Sequence, residues 1–109
     1  MSLVSSSSVP NNHILYFSKN ELSKILNLYS KGVSRGDWKD YAIDFNKNNA
    51  FFYIYKHTLA CPEWTLSKTI EKKRKKIFFK LLTNNSYRKF ESLDSLITIF
   101  FRNNFKITN

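Results

Sequence analysis

The sequence has almost no glycine, proline or cysteine. With 2 Gly and 2 Pro in 109 residues, it has little room for long irregular loops. The single cysteine, Cys61, cannot form an intrachain disulfide, which is typical of a protein from a reducing compartment. No apolar run approaches the roughly 18 residues of a membrane-spanning helix. We therefore expect a soluble, cytoplasmic protein.

The N-terminus lacks the features of a targeting segment. Residues 1–12 are rich in Ser and Asn and have neither a positive stretch nor an apolar stretch, so we expect no signal peptide in them. We expect a flexible tail over residues 1–12. Residues 13–109 are then one domain, which is long enough to bury a core without disulfides or a structural metal.

Residues that could carry catalysis or bind a metal are few. The two histidines are His13 and His57, and a zinc site needs three or four close ligands, whereas His57 and Cys61 have no third partner nearby. Asp40 and Asp44 share one face of a predicted strand and could act as acid and base or hold a metal, but the favoured explanation is a solvent-facing edge whose charges discourage strand addition. We expect no enzyme, no cofactor, no metal and no small-molecule substrate.

Aromatic residues are abundant, and they help to locate the first helix. The aromatic content is 17% and the hydrophobic content 42%, which excludes a largely disordered chain. Ser18 followed three residues later by Glu21 is a capping box that starts a helix. An apolar stripe at helical spacing follows: Leu22, Ile25, Leu26, Tyr29 and Val33. These signals predict a helix over about 19–33, ended by Gly32 or Gly36.

The rest of the chain reads as consecutive strands and a final helix. Alternating or aromatic-rich runs predict strands over about 40–46, 50–57, 63–70 and 76–83, and an apolar stripe predicts a helix over about 91–103. Short connections between consecutive strands favour antiparallel pairing. The predicted fold class is α+β: a four-stranded antiparallel β-meander flanked by an N-terminal and a C-terminal α-helix, in the order α-β-β-β-β-α.

One stretch resembles a known family. Asp37-Trp38-Lys39-Asp40-Tyr41-Ala42-Ile43-Asp44-Phe45, preceded by Leu28-Tyr29 and followed by Ala50 and Phe52, resembles a small bacterial family called domain of unknown function 2794. The resemblance is specific over residues 36–52 and covers most of 15–100 in layout. It implies this order of elements and a bacterial, cytoplasmic origin. The family has no assigned activity, so the resemblance implies no site residues.

The charge is strongly positive and uneven. The net charge is +10, and residues 71–109 hold ten Lys or Arg against three Asp or Glu, a net of +7. Such an excess indicates a polyanionic partner such as nucleic acid. The accompanying richness in Lys, Asn, Ile and Phe is also what an AT-rich genome produces through codon usage, so the charge has two explanations.

A basic run and an aromatic strand face together suggest binding of single-stranded nucleic acid. The run, which we call the basic turn, consists of Lys72, Lys73, Arg74, Lys75 and Lys76. Tyr53 and Tyr55, with Phe51, share one strand face. In this hypothesis the basic turn contacts phosphates and the two tyrosines stack on bases.

The favoured hypothesis is a protein partner. The chain is aromatic-rich for its size, and sheet aromatics together with Phe100, Phe101 and Phe105 exceed what one small core readily buries. We expect a non-enzymatic protein-protein interaction or homodimerisation module. Because the polar face of the last helix holds Ser, Thr and Asp rather than lysines, no membrane partner is expected.

Overall fold

The chain forms an antiparallel meander covered on one face by two helices. A computed structural model describes residues 14–57 and 61–104. The elements are α1 Lys19–Ser34, β1 Asp40–Phe45, β2 Asn49–Tyr55, β3 Trp64–Glu71, β4 Lys76–Leu82, β5 Tyr87–Phe90 and α2 Leu93–Asn104. The strands pair in chain order, each antiparallel to the next. The α+β class, with a helix before and after an antiparallel sheet, is therefore confirmed.

The prediction of four strands is wrong, because the sheet has five. The additional strand is Tyr87–Phe90, which lies between the predicted strand over 76–83 and the predicted helix over 91–103, where the sequence predicts no strand. It is four residues long and three of its side chains are exposed, so it shows no clear hydrophobic alternation. The preceding turn fixes its pairing: the Thr83 hydroxyl accepts the Ser86 N–H at 3.2 Å, and the Thr83 N–H donates to the Ser86 carbonyl at 2.8 Å.

The capping box of α1 is confirmed. The predicted apolar stripe is right for Ile25 but wrong for Val33, which is 43% exposed, whereas Leu28, outside that stripe, is buried. The Ser18 hydroxyl accepts the Glu21 N–H at 3.0 Å, and the Ser18 N–H donates to the Glu21 carboxylate at 2.7 Å. These two bonds satisfy N–H groups that the first helical turn leaves without partners. Ile25 and Leu28 are buried against the sheet. Residues 1–12, His13 and Phe105 lie outside the described residues.

The two glycines have different roles. Gly36 lies after the helix at φ 81°, a left-handed conformation that glycine adopts at low cost. Gly32 is instead inside α1, and a Cβ there would overlap the ring of Trp38. That ring is buried, and it stacks against Tyr29, at 6.1 Å between centroids, and against Phe100, at 5.6 Å. Gly32 thus lets the Trp38 ring, which joins α1 to α2, approach the helix backbone.

One lysine lies within the apolar layer between sheet and helices. Lys68 on β3 is 7% exposed, and its Nζ lies 2.7 Å from Glu21 Oε1 and 2.9 Å from the Tyr16 carbonyl oxygen. Because a buried ammonium needs oxygen partners, these two contacts make its burial tolerable. The same carboxylate also accepts the Ser18 N–H, so one side chain ties the start of α1 to the middle of the sheet.

Candidate binding surface

Strand alternation divides the sheet into a covered face and a second face. The side chains buried under the helices are Ala50, Phe52, Ile54, Leu66, Phe79, Leu81 and Phe90. The second face, which we call the open face, holds Asp40, Ala42, Asp44, Phe51, Tyr53, Tyr55, Thr65, Ser67, Thr69, Phe78, Lys80, Leu82, Tyr87 and Lys89. Neither of the two described helices packs against this face.

The β2 part of the open face is aromatic. Phe51 and Tyr53 stack with ring centroids 5.7 Å apart and planes inclined by 16°. These two rings and Tyr55 are all half-buried. Rings that are neither in the core nor fully hydrated form an apolar surface that a partner could cover.

The β4 and β5 part of the open face combines rings with lysines. Lys89 Nζ lies 4.1 Å from the centroid of the Phe78 ring. Lys80 Nζ lies 5.6 Å from the Phe78 centroid and 5.1 Å from that of Tyr87. These are cation–π distances, and they hold the two ammonium groups on the sheet surface rather than extended into solvent.

The open face is acidic at one edge and basic at the other. Asp40 and Asp44 are exposed on β1, next to the tyrosines of β2. Burial raises the pKa of the Tyr53 phenol, and the Asp44 carboxylate and then Tyr55 raise it further. Lys80 and Lys89 lie at the opposite edge. The negative potential is therefore around the tyrosines, and the positive potential is three strands away.

The basic turn and the two tyrosines of the nucleic-acid hypothesis lie far apart in the structure. Tyr53 and Tyr55 do lie on the open face, and Tyr53 is opposite Thr65 of β3. Lys72 of the basic turn follows Thr65 by seven positions, which is roughly 20 Å along a strand. Tyr55 lies farther still, because β2 runs away from that end of the sheet.

The basic turn has contacts of its own. Lys72, Lys73, Arg74 and Lys75 form the β3–β4 turn, and Lys76 is the first residue of β4. The sequence does not readily predict this turn's shape, since Lys75 takes a positive φ of 53°. Surface ion pairs hold two of its cations: Arg74 Nε lies 3.6 Å from Glu71 Oε1, and Lys76 Nζ lies 3.4 Å from Glu91 Oε1.

Sequence reasoning did not identify the lysines nearest the rings. Lys80 and Lys89 lie beside Phe78, but the sequence predicts a strand only over about 76–83 and none over residues 87–90. Two-residue alternation within β4 was the available signal, because Phe78 and Lys80 share a face opposite to Ile77 and Phe79. Lys89 had no comparable signal, since its strand is too short to show a period.

The residues considered for metal binding lie elsewhere. His57 and Cys61 line a cleft of about 360 Å³ together with Glu63 and Trp64. Within residues 14–57 and 61–104, no three or more His, Cys, Asp or Glu side chains are grouped as a metal ion would require. Within the same residues, no helix has the length and apolar character needed to cross a membrane.

Comparison with known proteins gives a single finding. The family described as "Protein of unknown function (DUF2794)" matches residues 15–88. This range runs from the segment before α1 into the second residue of β5 and includes the strands that form most of the open face. No curated protein and no solved structure matches the chain.

Proposed function

The chain belongs to the DUF2794 family, proteins of unknown function, and we propose that it is a non-enzymatic module that binds a protein through the open face. The partner is another protein or a second copy of this chain. We place this activity in the bacterial cytoplasm, where an exposed free cysteine such as Cys61 stays reduced.

One observation carries the proposal. Phe51, Tyr53 and Tyr55 are three half-buried aromatic side chains along one strand, on the face opposite to the helices, and together they form an aromatic strip. Aromatic side chains are enriched at protein interfaces, because they bring a large contact area at little cost in conformational entropy. A neighbouring protein that covered the strip would remove these rings from water.

The charges around the rings favour a protein over nucleic acid. Asp44 lies beside Phe51 and Asp40 beside Tyr55, so a phosphate near the strip would meet carboxylates. The rings nearest to lysines are Phe78 and Tyr87, and the ammonium groups already lie against them. Base stacking on Phe78 would have to displace these lysines.

Single-stranded nucleic acid is the second candidate, and Lys80 and Lys89 are the observation that favours it. Together with Phe78 and Tyr87 they place two cations and two rings on one part of a sheet, a combination that can hold phosphate and base. In this alternative the basic turn contacts phosphates farther along the strand. Tyr53 and Tyr55 would then stack on bases at the acidic side of the face.

Site-specific photo-crosslinking in cells tests the proposal. A benzophenone amino acid replaces Tyr53, and a matched variant carries it in place of Asn27, which is exposed on α1. After irradiation we expect a discrete protease-sensitive adduct from position 53 and none from position 27. Mass spectrometry of the adduct then shows whether the partner is this chain or another protein.

Two outcomes would contradict the proposal. A nuclease-sensitive adduct from position 53 would replace a protein partner by nucleic acid. Equal crosslinking from positions 53 and 27, or none from either, would show that the open face has no preferred protein partner. A thermal unfolding measurement on each variant confirms that the label leaves the fold intact.

A further inference from the structure

We propose that the occupant of the open face is a second copy of this chain, related to the first by a two-fold axis parallel to the strands and passing over β3. This inference rests on the proposed function, since it names the partner of the same surface. The register of the five strands carries it.

One cross-strand row has opposite charges at its two ends. Asp44 pairs with Phe51, Phe51 with Ser67, Ser67 with Lys80, and Lys80 with Lys89. The row therefore reads acid, ring, hydroxyl, cation, cation from β1 to β5. All five side chains project from the open face, at the same height along the strands.

The direction of the axis follows from this row. Rotation by 180° about the strand direction reverses the strand order but keeps each row at its height. Asp44 then faces Lys89 of the second copy, Phe51 faces Lys80, and both contacts occur twice by symmetry. A two-fold axis across the strands would instead place Asp44 near Asp44 and Lys89 near Lys89, which like-charge repulsion disfavours.

The next row is complementary in size as well. It consists of Ala42, Tyr53, Thr65, Leu82 and Tyr87. Under the same rotation the small Ala42 faces Tyr87 of the second copy, whose ring is 64% exposed. Tyr53 faces Leu82, so an aromatic ring meets an aliphatic side chain. Large residues thus face small or flexible ones rather than each other.

The strand on the axis carries hydroxyl groups. Thr65, Ser67 and Thr69 project from β3 onto the open face, and each would face its own copy. Ser67 is 3% exposed, so its larger row neighbours Phe51 and Lys80 cover it and would make the contacts with the second copy. Thr65 and Thr69 are half-buried and stay at the surface near the axis.

The area of the face matches a dimer that forms at moderate concentration. Strands about 4.8 Å apart and about seven residues long, at about 3.3 Å per residue, give five strands an area of roughly 550 Å² per copy. Two copies would then bury about 1,100 Å², at the lower limit of specific interfaces. We therefore expect a dimer that dissociates on dilution.

Sedimentation equilibrium of the full chain and its charge variants tests the arrangement. The single variants are Asp44→Lys and Lys89→Glu, and the third variant carries both changes. Asp40→Lys is the matched control for the first, because Asp40 is on the same strand and face but its row contains no lysine of β5. Lys73→Glu in the basic turn is the control for the second.

We expect wild type to dimerise and each single variant to dimerise about tenfold more weakly or worse, because each change places like charges opposite each other at two symmetric contacts. The variant with both changes should recover most of the affinity, since its charges are exchanged. The two controls should stay close to wild type.

A cross-linking measurement serves if a charge variant fails to fold. Thr65→Cys in a Cys61→Ser background puts one thiol near the axis of the open face. A short bismaleimide should then link two copies, whereas Asn27→Cys in the same background should give no linked dimer.

The remaining outcomes separate this inference from the proposed function. Dimerisation without recovery in the double variant, and without linkage through position 65, would overturn the strand-parallel axis and leave self-association intact. A protein that stays monomeric at all concentrations would overturn the second copy as partner. The proposed function then depends on the crosslink from position 53: an adduct with a different protein keeps it, and a nuclease-sensitive adduct or none removes it.

Discussion

Replacing Gly32 by Ala should destabilise the protein, although alanine is the better helix former. In an exposed helix interior this change gains about 1 kcal/mol. Here the added Cβ would overlap the Trp38 ring, and because that ring is buried and stacked against Tyr29 and Phe100, it has little room to move away. The structure therefore predicts a loss of stability for Gly32→Ala, whereas helix propensity alone predicts a gain.

The magnitude follows from two opposing terms. Overpacking a filled core costs about 1–3 kcal/mol, and the rigid rings around Gly32 place this change in the upper part of that range, at about 2–3 kcal/mol. After subtracting the helix gain, we expect Gly32→Ala to lower the free energy of unfolding by about 1–2 kcal/mol. For a domain of this size that corresponds to a fall in Tm of roughly 5–10 °C, which calorimetry or circular dichroism resolves easily.

A second background isolates the cause. With Trp38→Leu the clash is removed, so Gly32→Ala should there be neutral or stabilising, and the double-mutant cycle should show a coupling of about 1–3 kcal/mol between the two sites. Unfolding in urea measures all four proteins. A stabilising effect of Gly32→Ala with Trp38 present, or additive effects of the two changes, would refute the role assigned to Gly32.

Three further outcomes are expected. Lys68→Met should lower the free energy of unfolding, measured in urea, by about 1–2 kcal/mol. Lys68→Ala should lower it by more, because only Met keeps an apolar chain in place of the buried methylene groups of Lys68. Equal losses in the two variants would contradict this role of the methylene groups. Asp44→Asn should lower the raised pKa of Tyr53 in an ultraviolet titration, and an unchanged pKa would contradict the contribution assigned to the Asp44 carboxylate. The stability linked to the Tyr53 phenol is present below its ordinary pKa of 10.0, and it is lost as the pH rises through the raised pKa. In fluorescence anisotropy measurements across a salt series, a single-stranded oligonucleotide should bind no more tightly than duplex. The double change Lys73→Glu with Lys75→Glu should reduce the dependence of oligonucleotide affinity on salt concentration. A preference for the single strand that persists at higher salt would instead favour nucleic acid as the partner.

Local signals in the sequence were sufficient for most of the fold. The capping box at Ser18 and Glu21 predicts the start of α1, because both bonds form between residues three positions apart. The turn after Phe45 is similarly local, since the Asn46 side-chain oxygen accepts the N–H groups of Asn48 and Asn49. Features that depend on contacts between distant residues were not predictable, and Gly32 is the example: its role appears only when Trp38 folds back onto α1.

The candidate surface was predictable only in part. Alternation places Tyr53 and Tyr55 on one face, but which face the helices leave uncovered depends on tertiary packing. The basic turn drew attention because its charges are consecutive in sequence. Lys80 and Lys89 are adjacent only through strand pairing, so no linear pattern reveals them.

The two aspartates of β1 also disfavour edge-to-edge pairing between copies of the chain. The Asp40 carboxylate accepts the N–H of Tyr41 at 2.8 Å, and the Asp44 carboxylate accepts the N–H of Phe45 at 2.9 Å. An outer strand otherwise offers its free donors to any extended chain, which is the first step towards fibrils. Because each carboxylate occupies a donor and adds a negative charge, β1 is a poor template for strand addition. Growth into an open-ended aggregate is thereby disfavoured, while stacking of two faces stays available.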